Sequence, residues 1–251
     1  MKLALSGYGK MGKAIATIAS EHGHQIIATI DTNSDWNDYH VIISQADVVI
    51  DFSTPSSAVA NIRRCFGLKI PVVCGTTGWD NDLEIIKDEC NASGNTLFTA
   101  PNFSIGVNIF FFLNRYLAGM MNALTEYDSE VKEIHHIHKL DAPSGTAKLL
   151  ANDLVRIIDR KRKWVNHTTS VEEELAVISE RTGEVPGTHI IRYFSDIDEI
   201  EITHTARSRF GFAGGALLAA EWVHGRKGFF TMTDLMHDRF EITKITKQSL
   251  L

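Results

Sequence analysis

Apolar and polar positions follow two regimes along the chain. Up to Ser104, short apolar runs at Lys2–Leu5, Gln25–Ile30, Ala46–Phe52, Ile70–Cys74 and Thr96–Thr99 alternate with segments of helical period at Lys13–Glu21, Ser56–Phe66 and Asp80–Cys90. Nearly continuous apolar strands suit a sheet covered on both faces. Strands alternating with helices predict an α/β fold, a Rossmann-type doubly wound parallel sheet with right-handed crossovers. After Ser104 the pattern changes. The apolar stretch 105–124 is broken by Asn108, Asn114, Arg115 and Asn122, which predicts a buried helix rather than a membrane span. A strand over Asp128–His138 follows, and then a helix from Thr146 with Ala147, Leu150, Ala151, Leu154, Ile157 and Ile158 on one face. Lys161–His167 reads as a polar connection, and Ala176–Ser179, His189–Ser195 and Glu199–Ala206 as antiparallel strands with turns at Gly183, Pro186 and Gly187. These segments predict a second, α+β domain built on a mostly antiparallel open sheet. Such a sheet, with helix on one face, leaves the other to be covered by oligomerisation. A further helix is expected over Phe212–Trp222.

Composition narrows the function more than the fold. The chain has 251 residues, 44% of them hydrophobic and 22% charged, with a net charge of −6. That balance argues against a nucleic-acid binder and leaves room for a locally positive pocket. Cys65, Cys74 and Cys90 have no paired spacing, and the start MKLALSGYG has no apolar signal region. A reducing cytoplasm and no membrane partner are the expectation.

Two stretches carry chemistry. In the first, Gly7, Gly9 and Gly12, interleaved with Tyr8, Lys10 and Met11, place a GxGxxG turn between a strand and a helix. Such glycines permit a sharp turn, close approach of a pyrophosphate and tight helix packing. Asp31 closes the next strand, about 20 residues on, where an acid binds ribose hydroxyls. The loops Asp51-Phe52-Ser53, Gly75-Thr76-Thr77-Gly78 and Ala100-Pro101-Asn102-Phe103-Ser104 fall on the carboxyl edge of the same sheet. Taken singly, each of them is as well explained as a turn or a helix cap.

The second stretch is Glu133–Ala147, EIHHIHKLDAPSGTA. His135, His136, His138 and Lys139 precede a turn at Asp141–Gly145, and Ser144 is placed to cap the following helix. The amides of Gly145 and Thr146 at that helix start make an anion site. Protonatable groups beside such amides suit an acidic substrate that takes up a proton, while a basic strand-to-helix loop without function is the plain alternative. Strand alternation sends His135 and His136 to opposite faces and no Cys lies near, so no metal is expected here.

The run HHIHKLDAPSGTA resembles the signature of the dihydrodipicolinate reductase family, His-His-x-x-Lys-x-Asp-x-Pro-Ser-Gly-Thr-Ala, with every fixed position present. GTTG and APNFSIGVN resemble its cofactor loops, and GFFTMTDL its C-terminal segment. The resemblance implies NADH or NADPH as hydride donor and a cyclic dicarboxylate as substrate, reduced with loss of water on the way to diaminopimelate and lysine. It implies that residues 1–104 bind dinucleotide, that 105–211 bind substrate and form a homotetramer, and that 212–251 return to the first domain. His135 and Lys139 are then the catalytic positions, and Gly75, Thr76, Thr77, Ala100, Pro101, Asn102 and Phe103 join the Gly7–Gly12 turn and Asp31 at the cofactor. His136 and the Gly145 and Thr146 amides are left as the donors for substrate carboxylates. Another Rossmann dehydrogenase, or a non-catalytic dinucleotide sensor, would have no use for the signature. Many relatives place Arg after the acid, whereas Thr32, Asn33 and Ser34 follow Asp31 here, and Lys10 is the one compensating charge. NADH is therefore expected to serve at least as well as NADPH, with both accepted.

Overall fold

A computed structural model describes residues 1–240. The final segment, for which the sequence suggests no role, lies from residue 241 on outside the described residues. The chain divides into two compact units, one of Met1–Asn108 with the chain from Arg209 onward, the other of Ile109–Ser208.

In the first unit, β1 (Lys2–Ser6), α1 (Lys10–Glu21) and β2 (Gln25–Ile30) are followed by two short helices, α2 (Asn33–Asp38) and α3 (His40–Ile43), which the apolar pattern did not signal. Local chemistry forms α2: the Thr32 hydroxyl and the Asp35 carboxylate cap each other's backbone N–H groups. Then come β3 (Val48–Asp51), α4 (Pro55–Leu68), β4 (Val72–Cys74), α5 (Leu83–Ala92), β5 (Thr96–Thr99) and the start of α6 (Ile105–Met121). After the second unit's β6 (Asp128–His135), α7 (Gly145–Ile157), β7 (Lys163–Val165), β8 (Glu174–Arg181), β9 (Thr188–Phe194) and β10 (Glu199–Thr205), the chain supplies α8 (Phe210–Val223), β11 (Gly228–Phe230) and α9 (Met232–Phe240).

The first sheet has the order β11-β5-β4-β3-β1-β2 and is parallel throughout. Leu3, Ala4, Val48, Val49, Val72, Val73, Leu97 and Phe98 are completely buried, which is why these strands read as unbroken apolar runs. β11 extends the sheet beside β5, Gly228 pairing with Thr96. Because β1 is flanked by β2 on one side and β3 on the other, the chain reverses direction across the sheet there. Ligands of doubly wound sheets lie over that reversal, at the carboxyl ends of the strands.

The second sheet, β10-β9-β6-β8-β7, is mixed. β9 runs antiparallel to β6 and to β10, whereas β8 is parallel to β6 and to β7. The antiparallel expectation for Ala176–Ser179 is thus corrected. The chain between β6 and β8 contains α7, and a crossover of that length returns a strand in the same direction. Lys163–Val165, inside the expected polar connection, forms the edge strand β7. Ser129, Val131, Glu133 and His135 of β6 and His189, Ile191 and Tyr193 of β9 are all buried, as are Ala147, Leu150, Ala151 and Leu154 of α7. In α6 the expected burial holds for Val107, Phe110, Phe111, Asn114 and Ala118, but Ile109, Leu113 and Met120 are exposed. Its apolar face is wider than the neighbours that cover it. No helix among the described residues is long and apolar enough to cross a membrane.

Candidate active site

The carboxyl edge of the first sheet is built largely from backbone. Gly7 has φ +87°, and a Cβ there would lie 2.2 Å from the Phe52 carbonyl oxygen. A Cβ on Gly12 would lie 2.2 Å from the Gly7 carbonyl oxygen. The first and third glycines of the turn are therefore fixed by packing. Gly9 differs: a Cβ would meet nothing within 4 Å, and as the N-cap of α1 it makes no side-chain cap bond. Open space at an uncapped helix start fits a dinucleotide pyrophosphate, which needs amide donors and close backbone approach. Lys10 and Met11 open α1, and the Tyr8 N–H donates to Asp31 Oδ1 at 2.6 Å, tying the acid to the turn.

Side chains of the neighbouring loops are engaged with one another. Fully buried Asp51 accepts from Thr76 Oγ1 at 2.6 Å, Ser53 Oγ at 2.9 Å and Asn61 Nδ2 at 2.9 Å. Thr76 Oγ1 also accepts from the Ser53 N–H at 2.8 Å, and the Thr76 carbonyl accepts from Trp79 Nε1 at 2.7 Å. A Cβ on Gly75 would overlap the Phe52 ring at 2.2 Å. Phe103, 2% exposed, packs against Phe52 and Phe98, Ala100 is buried, and Asn102 Oδ1 accepts from the Ser104 N–H at 2.9 Å. Thr77 and Pro101 are exposed. Of the residues expected at the cofactor, Thr76, Asn102 and Phe103 therefore direct their side chains into the loop packing.

The second unit builds its site from side chains. β6 carries Glu133 and His135 on one buried face, two residues apart, and β9 brings His189 opposite Glu133. His135 Nδ1 lies 3.4 Å from Glu133 Oε2, and the His135 and His189 ring centroids are 5.1 Å apart. The signature turn closes over this face. The Ser144 N–H donates to Glu133 Oε1 at 3.0 Å, Ser144 Oγ lies 3.2 Å from His189 Nε2, and the same hydroxyl accepts from the Ala147 N–H, capping α7. Gly145 and Thr146 are the first two residues of α7, with N–H groups directed out of the helix start. Arg181, paired with His135 across β8, fastens the loop. Its Nη2 donates to Glu133 Oε1 at 3.0 Å and to the Asp141 carbonyl at 2.6 Å, and its Nε to the Lys139 carbonyl at 3.4 Å. Lys139 Nζ pairs with Asp141 Oδ1 at 2.8 Å. His136 follows the end of β6, half-buried, and His138 reaches the exposed Glu184 at 3.3 Å.

Electrostatics divide these groups. Burial lowers the pKa of His135, and Lys139 and Arg181 act in the same direction while Glu133 opposes them. Burial and the neighbouring His135 bring His189 down to about 4. Glu133 stays below the usual carboxylate range: burial alone would raise it, but bonds from Ser144, Ser179 and Arg181 prevail. Hydrogen bonding to Lys139 likewise lowers Asp141. The site thus holds an ionised carboxylate and two neutral imidazoles beneath two cations.

Glu133, His135 and His189 each offer a ligand atom within 4.8 Å of the others, a possible metal set that alternation of His135 and His136 did not address. Its carboxylate is already bonded to Arg181 and Ser144, so a metal would face a fixed positive charge. The arrangement suits an orienting network better. Sequence reasoning missed Glu133, Arg181 and His189. The two-residue spacing of Glu133 and His135 marks a shared strand face and was available as a signal. Arg181 and His189 arrive only through strand pairing.

Comparison with known proteins agrees across the chain. Residues 1–103 match the family described as dihydrodipicolinate reductase, N-terminus, and residues 106–236 the one described as its C-terminus. The chain is 45% identical over 244 residues to the 4-hydroxy-tetrahydrodipicolinate reductase of Christiangramia forsetii, covering 96% of this chain and 100% of that protein. To the enzyme of the same name from Archaeoglobus fulgidus it is 34% identical over 261 residues, covering 94% and 100%. Among solved structures, the dipicolinate-bound dihydrodipicolinate reductase from Paenisporosarcina sp. TG-14 shares the fold, with a TM-score of 0.74 at 22% identity over 92% of this chain and 97% of that one.

Proposed function

The chain belongs to the dihydrodipicolinate reductase family, and from that premise we propose how its residues divide the work. It is an NAD(P)H-dependent oxidoreductase that converts 4-hydroxy-tetrahydrodipicolinate to tetrahydrodipicolinate with loss of water, in diaminopimelate and lysine biosynthesis. The nicotinamide, when bound, supplies hydride. The Gly7–Gly12 turn holds the pyrophosphate on the start of α1, Asp31 receives the adenosine ribose, and Gly75–Thr77 and Ala100–Phe103 flank the nicotinamide mainly through backbone groups. The open space at Gly9 supports the first of these assignments.

In the second unit His136 and the amides of Gly145 and Thr146 receive the substrate carboxylates, and His135 and Lys139 serve the protonation that follows hydride addition. His135 is neutral before substrate arrives, because burial and two cations depress its proton affinity. A dicarboxylate placed beside it opposes those cations and raises that affinity. Proton uptake is thereby timed to substrate binding. Glu133 positions the imidazole, and Arg181 and Ser144 hold Glu133. The observation that carries this reading is the bonding of Ser144, which caps α7 through its hydroxyl and grips Glu133 through its N–H. One residue of the signature thus aligns the anion site with the histidine.

We also propose a homotetramer formed through the open face of the second sheet. The half-exposed Ile190, Arg192 and Phe194 of β9, alternating with its buried residues, support it. A cytoplasmic location is supported by three free, buried cysteines. The decisive test of the function is oxidation of NADH and NADPH with freshly generated substrate. Turnover dependent on both substrate and signature residues is expected. Absence of turnover with an intact, cofactor-binding protein would reject the assignment. Inhibition by pyridine-2,6-dicarboxylate, competitive with substrate, tests the dicarboxylate site separately.

A further inference from the structure

The segment after Asp31 brings no cation of its own, but the fold supplies one from a helix more than thirty residues on. Arg64 of α4 donates from Nη1 to the side-chain oxygen of Asn33 at 3.0 Å and to that of Asn61 at 3.3 Å. Its guanidinium carbon lies 5.5 Å from the centroid of the buried Trp36 ring. Asn61 is itself anchored on Ser6 and Asp51, the last residues of β1 and β3. The guanidinium is thus fixed between α4 and the α2 helix that follows β2, by neutral amide oxygens and an aromatic face. Among the described residues it has no carboxylate partner. The adjacent Arg63, by contrast, is spent on Glu89 at 2.7 Å. Of the acids after β2, Asp31 is turned to the Tyr8 N–H and Asp35 to the N–H groups of Asp31 and Thr32.

A guanidinium held at one nitrogen keeps its remaining donors for an anion, and its planar fork matches phosphate better than a lysine does. Pre-orientation over Trp36 reduces the rotamer entropy lost on binding. We infer that Arg64 determines cofactor specificity, receiving the 2′-phosphate of NADPH beside the Asp31 carboxylate that receives the ribose of NADH. This inference rests on the reading of the Gly7–Gly12 turn as the dinucleotide site. It revises the expectation that Lys10 is the one compensating charge, and it makes acceptance of both cofactors a property of two side chains at one edge.

The experiment is calorimetric titration of the full chain, without substrate, with NADH, NADPH and 2′,5′-ADP, using wild type, Arg64→Gln and Arg64→Lys. Arg64→Gln is expected to weaken NADPH and 2′,5′-ADP by about tenfold or more, the scale of a hydrogen bond to a charged group. NADH affinity should stay within about twofold, and Arg64→Lys should fall between. In wild type, NADPH affinity should decline more steeply with salt than NADH affinity. Equal losses for NADH and NADPH would show that Arg64 only supports Trp36, and unchanged NADPH affinity would place the phosphate elsewhere; either overturns the inference. Thermal melting of each variant separates loss of packing from loss of charge. A folded wild type that binds neither dinucleotide would instead strike the cofactor reading beneath it.

Discussion

Asp51, the last residue of β3, and Glu133, near the end of β6, are both completely buried, yet they are held in opposite ways. Asp51 is surrounded by the neutral donors of Thr76, Ser53 and Asn61. Glu133 is bonded to a guanidinium and a backbone N–H and faces two imidazoles. The first gathers the loops at the carboxyl edge of its sheet, so that their side chains bond to one another. The second aims a titratable ring. On the proposed reading, a buried acid serves architecture in one unit and proton chemistry in the other.

Deleting the two carboxylates tests this contrast most strongly. Glu133→Ala should cost about 3–5 kcal/mol of stability, because it leaves Arg181 and the Ser144 N–H without their acceptor. Asp51→Ala should cost less, since hydroxyls and an amide can turn to other acceptors. The isosteric changes sharpen the comparison. Glu133→Gln should lower kcat and move the alkaline limb of the rate profile to lower pH, because Glu133 supports the protonated form of His135. Asp51→Asn should leave kcat at saturating cofactor near the wild-type value. Equal kcat losses in the two variants would erase the distinction.

The acid limb of stability comes next in size. The folded pKa of His189 lies at about 4, below the ordinary 6.5, so the unfolded chain binds the proton first. Stability from this residue is fully present above pH 6.5 and is lost as the pH falls to about 4. The loss reaches about 3 kcal/mol at the lower end. Urea unfolding across that window should show the slope, and His189→Gln should flatten it. A slope unchanged in that variant would assign the titration to another group.

The same contrast explains what was legible beforehand. Gly7, Gly12 and Asp31 follow one another along a strand–turn–helix–strand, so local spacing was enough to place them. Ser144 was legible as a cap for the same reason. The mixed pairing of the second sheet was not, because alternation in Ala176–Ser179 marks a strand without giving its direction. Arg64 and Arg181 were invisible as functional groups, since an arginine reads as solvated until packing shows what it faces. His189 looked like any residue of an alternating strand until β6 brought Glu133 against it. The inward turn of Thr76 follows from Asp51, which lies on a different strand.

Removal of the proposed proton groups follows in magnitude. His135→Ala and Lys139→Ala should each lower kcat by about a hundredfold, roughly 2.7 kcal/mol at the transition state. The affinity for NADH should remain, because the turn, Asp31 and Arg64 all belong to the first unit. Steady-state rates and cofactor titration on the same preparations give the answer. If both variants turn over at the wild-type rate, neither group moves the proton, and the side-chain half of the comparison loses its chemical meaning.

The smallest effect is the most specific. Thr146 is the second residue of α7, just after the Ser144 cap, at the helix start proposed to receive a substrate carboxylate. Thr146→Val keeps the shape of the side chain and the backbone donor and removes only the hydroxyl. If that hydroxyl bonds a substrate carboxylate, pyridine-2,6-dicarboxylate should bind more weakly by about 1–2 kcal/mol, the worth of a hydrogen bond to a charged group. Gly145→Ala is the matching control, because a Cβ there meets nothing within 4 Å and the N–H is retained. Its effect should be slight, in contrast to Gly7→Ala, where the Phe52 carbonyl blocks the added carbon. Inhibition unchanged in Thr146→Val but weakened in Gly145→Ala would mean that the ligand lies against the backbone alone. The second unit would then bind its anion as the first is proposed to bind its pyrophosphate, and only the proton chemistry would still set the two apart.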